Sequence, residues 1–218
     1  ENNFSPNTLV LDAPLVLEQG TDLKMWKPEN YGKKFYGPST LRTGIEKSRN
    51  LMTVRLADKI GIKKIIETAN DFGLNDGLNN ELSMSLGSGL VNLLDITNSY
   101  GIIANGGIET SPTIITSIYS KNGKRLYNSN TKTCDNCKTE KILNSFREPL
   151  INNNTRTVVD PTIAYQITSM MEGVIQRGTA KRLKDLNVPI AGKTGTTNDN
   201  KDAWFIGYTP NMVIGVFV

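Results

Sequence analysis

The stretch AGKTGTTNDNKDAWFIGYTP, residues 191–210, sets Lys193 and the threonines at 194, 196 and 197 around two glycines, just ahead of an apolar run. The β-rich flank VPIAGKTGTT, the run AWFIGYT and the closing MVIGVFV read as three short strands. Thr209-Pro210-Asn211 makes a tight turn between the last two. Upstream of them helical spacing dominates. Helices first and antiparallel strands last predict an α+β fold, an antiparallel sheet flanked by helices.

Working back from that sheet, Asp160-Pro161 is a strong helix start, a capping carboxylate followed by a proline whose missing N–H costs nothing there. The helix TIAYQITSMMEGVIQR ends at Gly178. Residues 128–159 are polar and read as a loop insertion that holds both cysteines, in CDNC. TIITSIYSKNGKRLYN reads as a hairpin on the two-residue turn Asn122-Gly123. LGSGLVNLLDITNSYGIIANGG predicts a helix stopped by Asn105-Gly106-Gly107, and IKKIIETANDFG one capped at Gly73. Thr40 caps the first helix, and Ser48-Arg49-Asn50 sits in a tight connection between TLRTGIEKS and NLMTVRLADKIG. Residues 1–39, broken by Pro14, Pro28, Gly32 and Gly37, read as an irregular lead-in. No internal repeat is visible.

The 218 residues are 38% hydrophobic and 21% charged, ordinary for a globular chain and enough to bury a sizeable core. The net charge of +4 comes from 25 basic residues scattered among 21 acidic ones. Such a balance favours solubility, leans weakly towards an anionic neighbour, and gives no reason to expect nucleic acid. No apolar run approaches the roughly 20 residues that span a bilayer. The polar opening ENNFSPN and the strand-like close VIGVFV both look cut, which leaves room for an upstream membrane anchor. Histidine is absent altogether. Ser-His-Asp and Cys-His hydrolases and histidine zinc sites are therefore excluded, and any covalent chemistry must move its proton through lysine or a carboxylate.

The tripeptide GKT suggests a phosphate-binding loop, but that motif needs a glycine where Asn187 stands and a helix where a strand follows. The other reading is a strand with Lys193 and Thr194 on its rim and Gly195 admitting another backbone. A peptide could pair with that edge while the threonine hydroxyls hold its carboxylate. A solvated edge strand, guarded by lysine against aggregation, fits the same spacing. Spacing alone leaves both open.

Longer strings decide more. AGKTGTTNDNKDAWFIGYTPN, VVDPTIAYQITSMMEGVIQRGTA, the ANGG at 104–107 and WKPENYGKKFYGPSTLRTGIEKSRN, in this order, resemble the transpeptidase domain of bifunctional, class A penicillin-binding proteins over residues 26–218. Ser48-Arg49-Asn50 matches that family's SxN motif and Lys193-Thr194-Gly195 its KTG. The resemblance implies acyl transfer: a serine attacks the D-Ala-D-Ala end of a peptidoglycan stem peptide, and a neighbouring amine resolves the ester into a cross-link. β-Lactams imitate that substrate. It further implies that Ser48 relays a proton, that Asn50 holds the substrate amide, and that Lys193 keeps the partner lysine of an SxxK motif neutral. Thr194, Gly195, Thr196 and Thr197 would bind the substrate, Thr194 and Thr196 holding its carboxylate, with the Thr196 N–H supplying half of an oxyanion hole, a contribution of order 3 kcal/mol. Gly178-Thr179 resembles the pair that follows the family's long helix.

The departure from the family is the SxxK motif, which should precede SxN. The spacing occurs only at Ser129-Asn130-Thr131-Lys132, after SxN and without a helical pattern. The chain is accordingly expected to be part of such a domain, inert alone as an acyltransferase, with a periplasmic, membrane-anchored parent that also carries a glycosyltransferase. No cofactor or metal is expected. In an oxidising periplasm Cys134 and Cys137 favour a local disulfide, with free thiols next. Trp204, Phe205 and Tyr208 read as one strand's core face. Two alternatives remain open: a non-catalytic peptide-binding module of the same fold, and a serine β-lactamase-like hydrolase.

Overall fold

The computed structural model describes residues 4–19, 24–129, 133–135, 150–152, 155–197 and 201–218. The fold is α+β. Its central feature is a three-stranded antiparallel sheet, ordered β11-β10-β9, from β9 (Ala191–Thr196), β10 (Ala203–Thr209) and β11 (Met212–Phe217). Pro210 and Asn211 make the two-residue link between Thr209 and Met212, as the sequence predicts. Strand β10 is covered on both faces, so the expectation of a single aromatic core face is corrected. Side chains alternate along a strand, and Tyr208 is buried with Met171 and Ala191 while Phe205 packs with a second cluster of Val174, Ile175 and Ala180. Trp204 meets Phe217 across the register, ring centroids 4.5 Å apart.

The helices covering this sheet are α4 (Leu93–Ala104) and α5 (Pro161–Gln176). Helix α5 starts as its sequence demands: the Asp160 carboxylate accepts the Thr162 N–H at 2.8 Å, with Pro161 next. Its apolar stripe presses on β9, and α4 packs on β10 and β11. Helix α4 is capped by Asn92, later than the sequence pattern suggested. Residues 82–86 form a separate turn of 3-10 helix, because Gly87 takes a left-handed conformation at φ 88°.

Three earlier helices follow in chain order. They are α1 (Leu41–Glu46), α2 (Asn50–Ile60) and α3 (Ile62–Asp71). Thr40 caps α1 by accepting the Thr43 N–H. Helix α3 closes through Gly73, whose φ of 84° allows its N–H to reach Asn70 O and the Leu74 N–H to reach Ala69 O. Leu51, Met52 and Val54 of α2 are among the most buried side chains, each contributing about 2 kcal/mol relative to exposure.

The lead-in is more regular than its prolines and glycines suggested. Strand β1 (Leu9–Asp12) pairs antiparallel with β4 (Gly37–Thr40), and β2 (Leu17–Gln19) with β3 (Lys24–Trp26). Strands of three or four residues are too short to show an alternation that can be read locally. In the hairpin of β5 (Ser117–Tyr119) and β6 (Arg125–Asn128), the Asn-Gly turn is also longer than expected. The Gly123 N–H reaches Ser120 O, the Ser120 N–H reaches Lys124 O, and only Gly123 takes positive φ. This is a three-residue loop with a bulge, not the two-residue form. Within the expected loop insertion, β7 (Thr133–Asp135) pairs with β8 (Leu150–Asn152). Cys137 and Lys132 lie outside the described residues, and so does the proposed pairing of Cys134 with Cys137.

Candidate active site

The chain reverses between α1 and α2 through Lys47, Ser48 and Arg49. The Ser48 N–H bonds to Ile45 O at 3.2 Å and the Arg49 N–H to Gly44 O at 2.9 Å. These two bonds close a helix in the manner that normally places glycine at the left-handed position. Here that position is Ser48, at φ 52°. A side chain there costs about 1 kcal/mol. The strained turn aims the Ser48 hydroxyl at the sheet.

Across from it stands Lys193, the third residue of β9. Its ammonium donates to Ser48 Oγ at 2.9 Å and to Thr194 O at 2.9 Å. Ser48 accepts this bond, so its own hydroxyl hydrogen is left to serve another acceptor. Burial disfavours the charged amine and pulls the Lys193 pKa from 10.5 down to about 8. A lysine on this edge merely to deter aggregation would stay solvated.

That shift has a sign for stability. Between about pH 8, where folded Lys193 loses its proton, and 10.5, where unfolded lysine does, the unfolded chain binds more protons. Stability therefore rises with pH through that window. The charged form costs the fold about 3 kcal/mol at neutral pH. Lys193→Met is expected to melt above wild type at pH 7 and to lose that advantage by pH 10.5, as thermal melts in a pH series would show.

The remaining sequence-predicted residues lie around this contact. Thr194 Oγ1 is 2.8 Å from Thr179 Oγ1, which follows the end of α5. Gly195 faces Trp204 and Thr196 faces Ala203 in the register, both at the open end of β9. Thr197 sits past the strand, its N–H bonded to Asp202 O at 3.1 Å and its hydroxyl accepting the Asp202 N–H at 2.9 Å. Asn50 begins α2 and donates to Glu29 O at 2.9 Å. Its recorded bond thus goes to the lead-in, away from Lys193. Ser129 is at the end of the β5–β6 hairpin, its N–H on Thr116 O.

Two features went unread in the sequence. The buried carboxylate of Glu46 pairs with the Arg177 guanidinium, while the Glu46 carbonyl accepts the Thr179 N–H at 3.2 Å. That joins the end of α1 to the segment carrying Thr179, and so couples the two halves of the site. The second is the packing of the Phe205 ring over Gly192 and Gly207, which are opposite each other in the register. A Cβ on Gly192 would come within 2.7 Å of that ring and 2.8 Å of Ile206 O, so β9 can sit here only with glycine.

Known proteins resemble this chain along its whole length. A family profile described as the penicillin binding protein transpeptidase domain matches residues 1–218. The chain belongs to this transpeptidase family. Penicillin-binding protein 1A of Rickettsia bellii is 45% identical over 219 residues, covering 100% of this chain and 28% of that protein. Penicillin-binding protein 1A of Pseudomonas aeruginosa is 32% identical, again across 100% of this chain, and is covered over 30% of its length. The transpeptidase chain thus spans less than a third of these curated relatives. The crystal structure of penicillin-binding protein 1A from Haemophilus influenzae superposes with a TM-score of 0.84 at 28% identity, over 98% of this chain and 34% of that one.

Proposed function

We propose that this chain supplies the substrate-binding strand and the proton-relaying turn of a serine-type D-Ala-D-Ala transpeptidase, which cross-links peptidoglycan stem peptides and is acylated by β-lactams. The observation that carries the reading is the partly buried Lys193 ammonium donating to Ser48 Oγ at 2.9 Å. A Ser48 hydroxyl held by Lys193 is placed to pass a proton to the amine that leaves when an acyl-enzyme forms. Thr194 and Thr196, at the rim of β9, are placed to bind the carboxylate of a stem peptide or a β-lactam. The N–H of Thr196 stabilises the oxyanion. Asn50 then holds the substrate amide, after exchanging its bond to Glu29 O.

The attacking serine is proposed to come from an SxxK motif outside these residues. Carboxypeptidase activity follows from the same acyl-enzyme when water is the acceptor. A periplasmic location with an N-terminal membrane anchor suits this substrate; no helix among the described residues is long and apolar enough to cross a membrane. Fluorescent penicillin and intact mass measurement test the reading. The full-length gene product is expected to gain one β-lactam, and the 218-residue chain, shown by circular dichroism to be folded, none. An adduct on the shorter chain would place the nucleophile among its own serines.

A further inference from the structure

The left-handed conformation of Ser48 needs a cause outside its own residue, since strain persists only where the surroundings impose it. Against the turn packs a cluster built from the lead-in. Asp12, at the end of β1, is fully buried. Its Oδ1 accepts the Asn30 amide N–H at 2.7 Å, and its Oδ2 faces Arg49 Nε at 4.0 Å with no hydrogen bond of its own. Asn30, also buried, donates as well to Lys34 O at 2.9 Å, while its side-chain carbonyl accepts the Leu51 N–H at 3.3 Å. The guanidinium of Arg49 lies over the Tyr36 ring, 3.2 Å from its centroid.

Arg49 is the middle residue of Ser48-Arg49-Asn50, and its side chain meets Asp12 and Tyr36 of the lead-in. A buried carboxylate left short of a hydrogen bond is costly unless a cation faces it. The pair therefore resists any rotation of Arg49 that would relax its neighbour Ser48. Stacking on Tyr36 fixes the plane of the guanidinium from the other side. Asn30 pins the first turn of α2 just beyond.

Resting on the transpeptidase reading, we infer that Asp12, Asn30, Arg49 and Tyr36 are positioning residues, which hold Ser48 in its left-handed geometry facing Lys193 and so set the rate of acylation without touching substrate. Asp12→Asn keeps the shape and the bond from Asn30 but removes the charge facing Arg49. Arg49→Lys keeps the charge and gives up the planar stack. Tyr36→Leu changes a half-exposed side chain and spares the buried carboxylate.

The test uses the full-length gene product and stopped-flow acylation by a fluorescent penicillin at 25 °C, separating noncovalent affinity from the acylation step. Asp12→Asn and Arg49→Lys are expected to slow the acylation step at least tenfold and Tyr36→Leu about threefold, with noncovalent affinity within twofold. A purely structural cluster would lower the melting temperature and leave the acylation step of the folded protein unchanged, which overturns the inference. Hydrogen exchange gives a second, independent readout. Amides of residues 47–53 are expected to exchange at least tenfold faster in Asp12→Asn, with α5 unaltered, and unchanged exchange there also overturns it. A wild type that never reacts with penicillin sinks the transpeptidase reading instead, and exchange alone then decides whether the cluster holds the turn.

Discussion

Ser48→Gly in the full-length gene product is expected to abolish most acylation by penicillin while making the protein no less stable, and slightly more so. Ser48 occupies the left-handed position of a helix-closing turn at φ 52°, where glycine is at ease. Replacing it removes about 1 kcal/mol of strain and, with it, the hydroxyl that Lys193 reaches at 2.9 Å. Losing a positioned proton relay typically costs a factor of about 100 to 10,000 in rate. Ser48→Ala should lose the same rate without the gain in melting temperature, because its Cβ keeps the strain. Mass-resolved acylation and thermal melts on the two variants separate these effects. Equal acylation by Ser48→Gly and wild type would remove Ser48 from the chemistry.

Gly178→Ala is expected to damage the fold heavily. A Cβ at this position would lie 2.1 Å from Glu46 O and 2.6 Å from Val174 Cα, and both contacts are backbone. Neither can swing away as a side-chain tip could. The α5–β9 connection has to move off α1, which breaks the bond from the Thr179 N–H to Glu46 O. A cost of about 3 kcal/mol or more is expected, lowering the melting temperature by roughly 10 °C for a chain of this size. Acylation should fall too, since the same shift carries Thr179 away from Thr194. Calorimetry reads the first effect, and a melting temperature within a degree of wild type would show that the contact relaxes freely.

Much of the framework could be read from local pattern. Asp160-Pro161 announced α5, Thr40 announced α1, and Gly73 closed α3, because capping chemistry acts over three or four residues that are adjacent in sequence. The KTG strand and its hairpin partner were legible for the same reason. The lead-in was not: β1 and β4 find each other across a loop whose prolines and glycines hide any alternation, and Asp12 reads as an ordinary surface carboxylate until the partner strand buries it. The site divides along the same line. Ser48, Lys193 and Thr194 carried motif spacing, but the left-handed geometry of Ser48 had no signal, because glycine is the residue that ordinarily marks it. Glu46 looked like one more charge on a helix, and only the approach of Arg177, far along the chain, reveals it as buried.

The bond between Thr179 and Thr194 has a consequence that counts hydrogens. Two hydroxyls bring two protons, and one of them is spent between the oxygens at 2.8 Å. On the proposed function, an arriving substrate carboxylate would have to draw the two hydroxyls apart before both could donate to it.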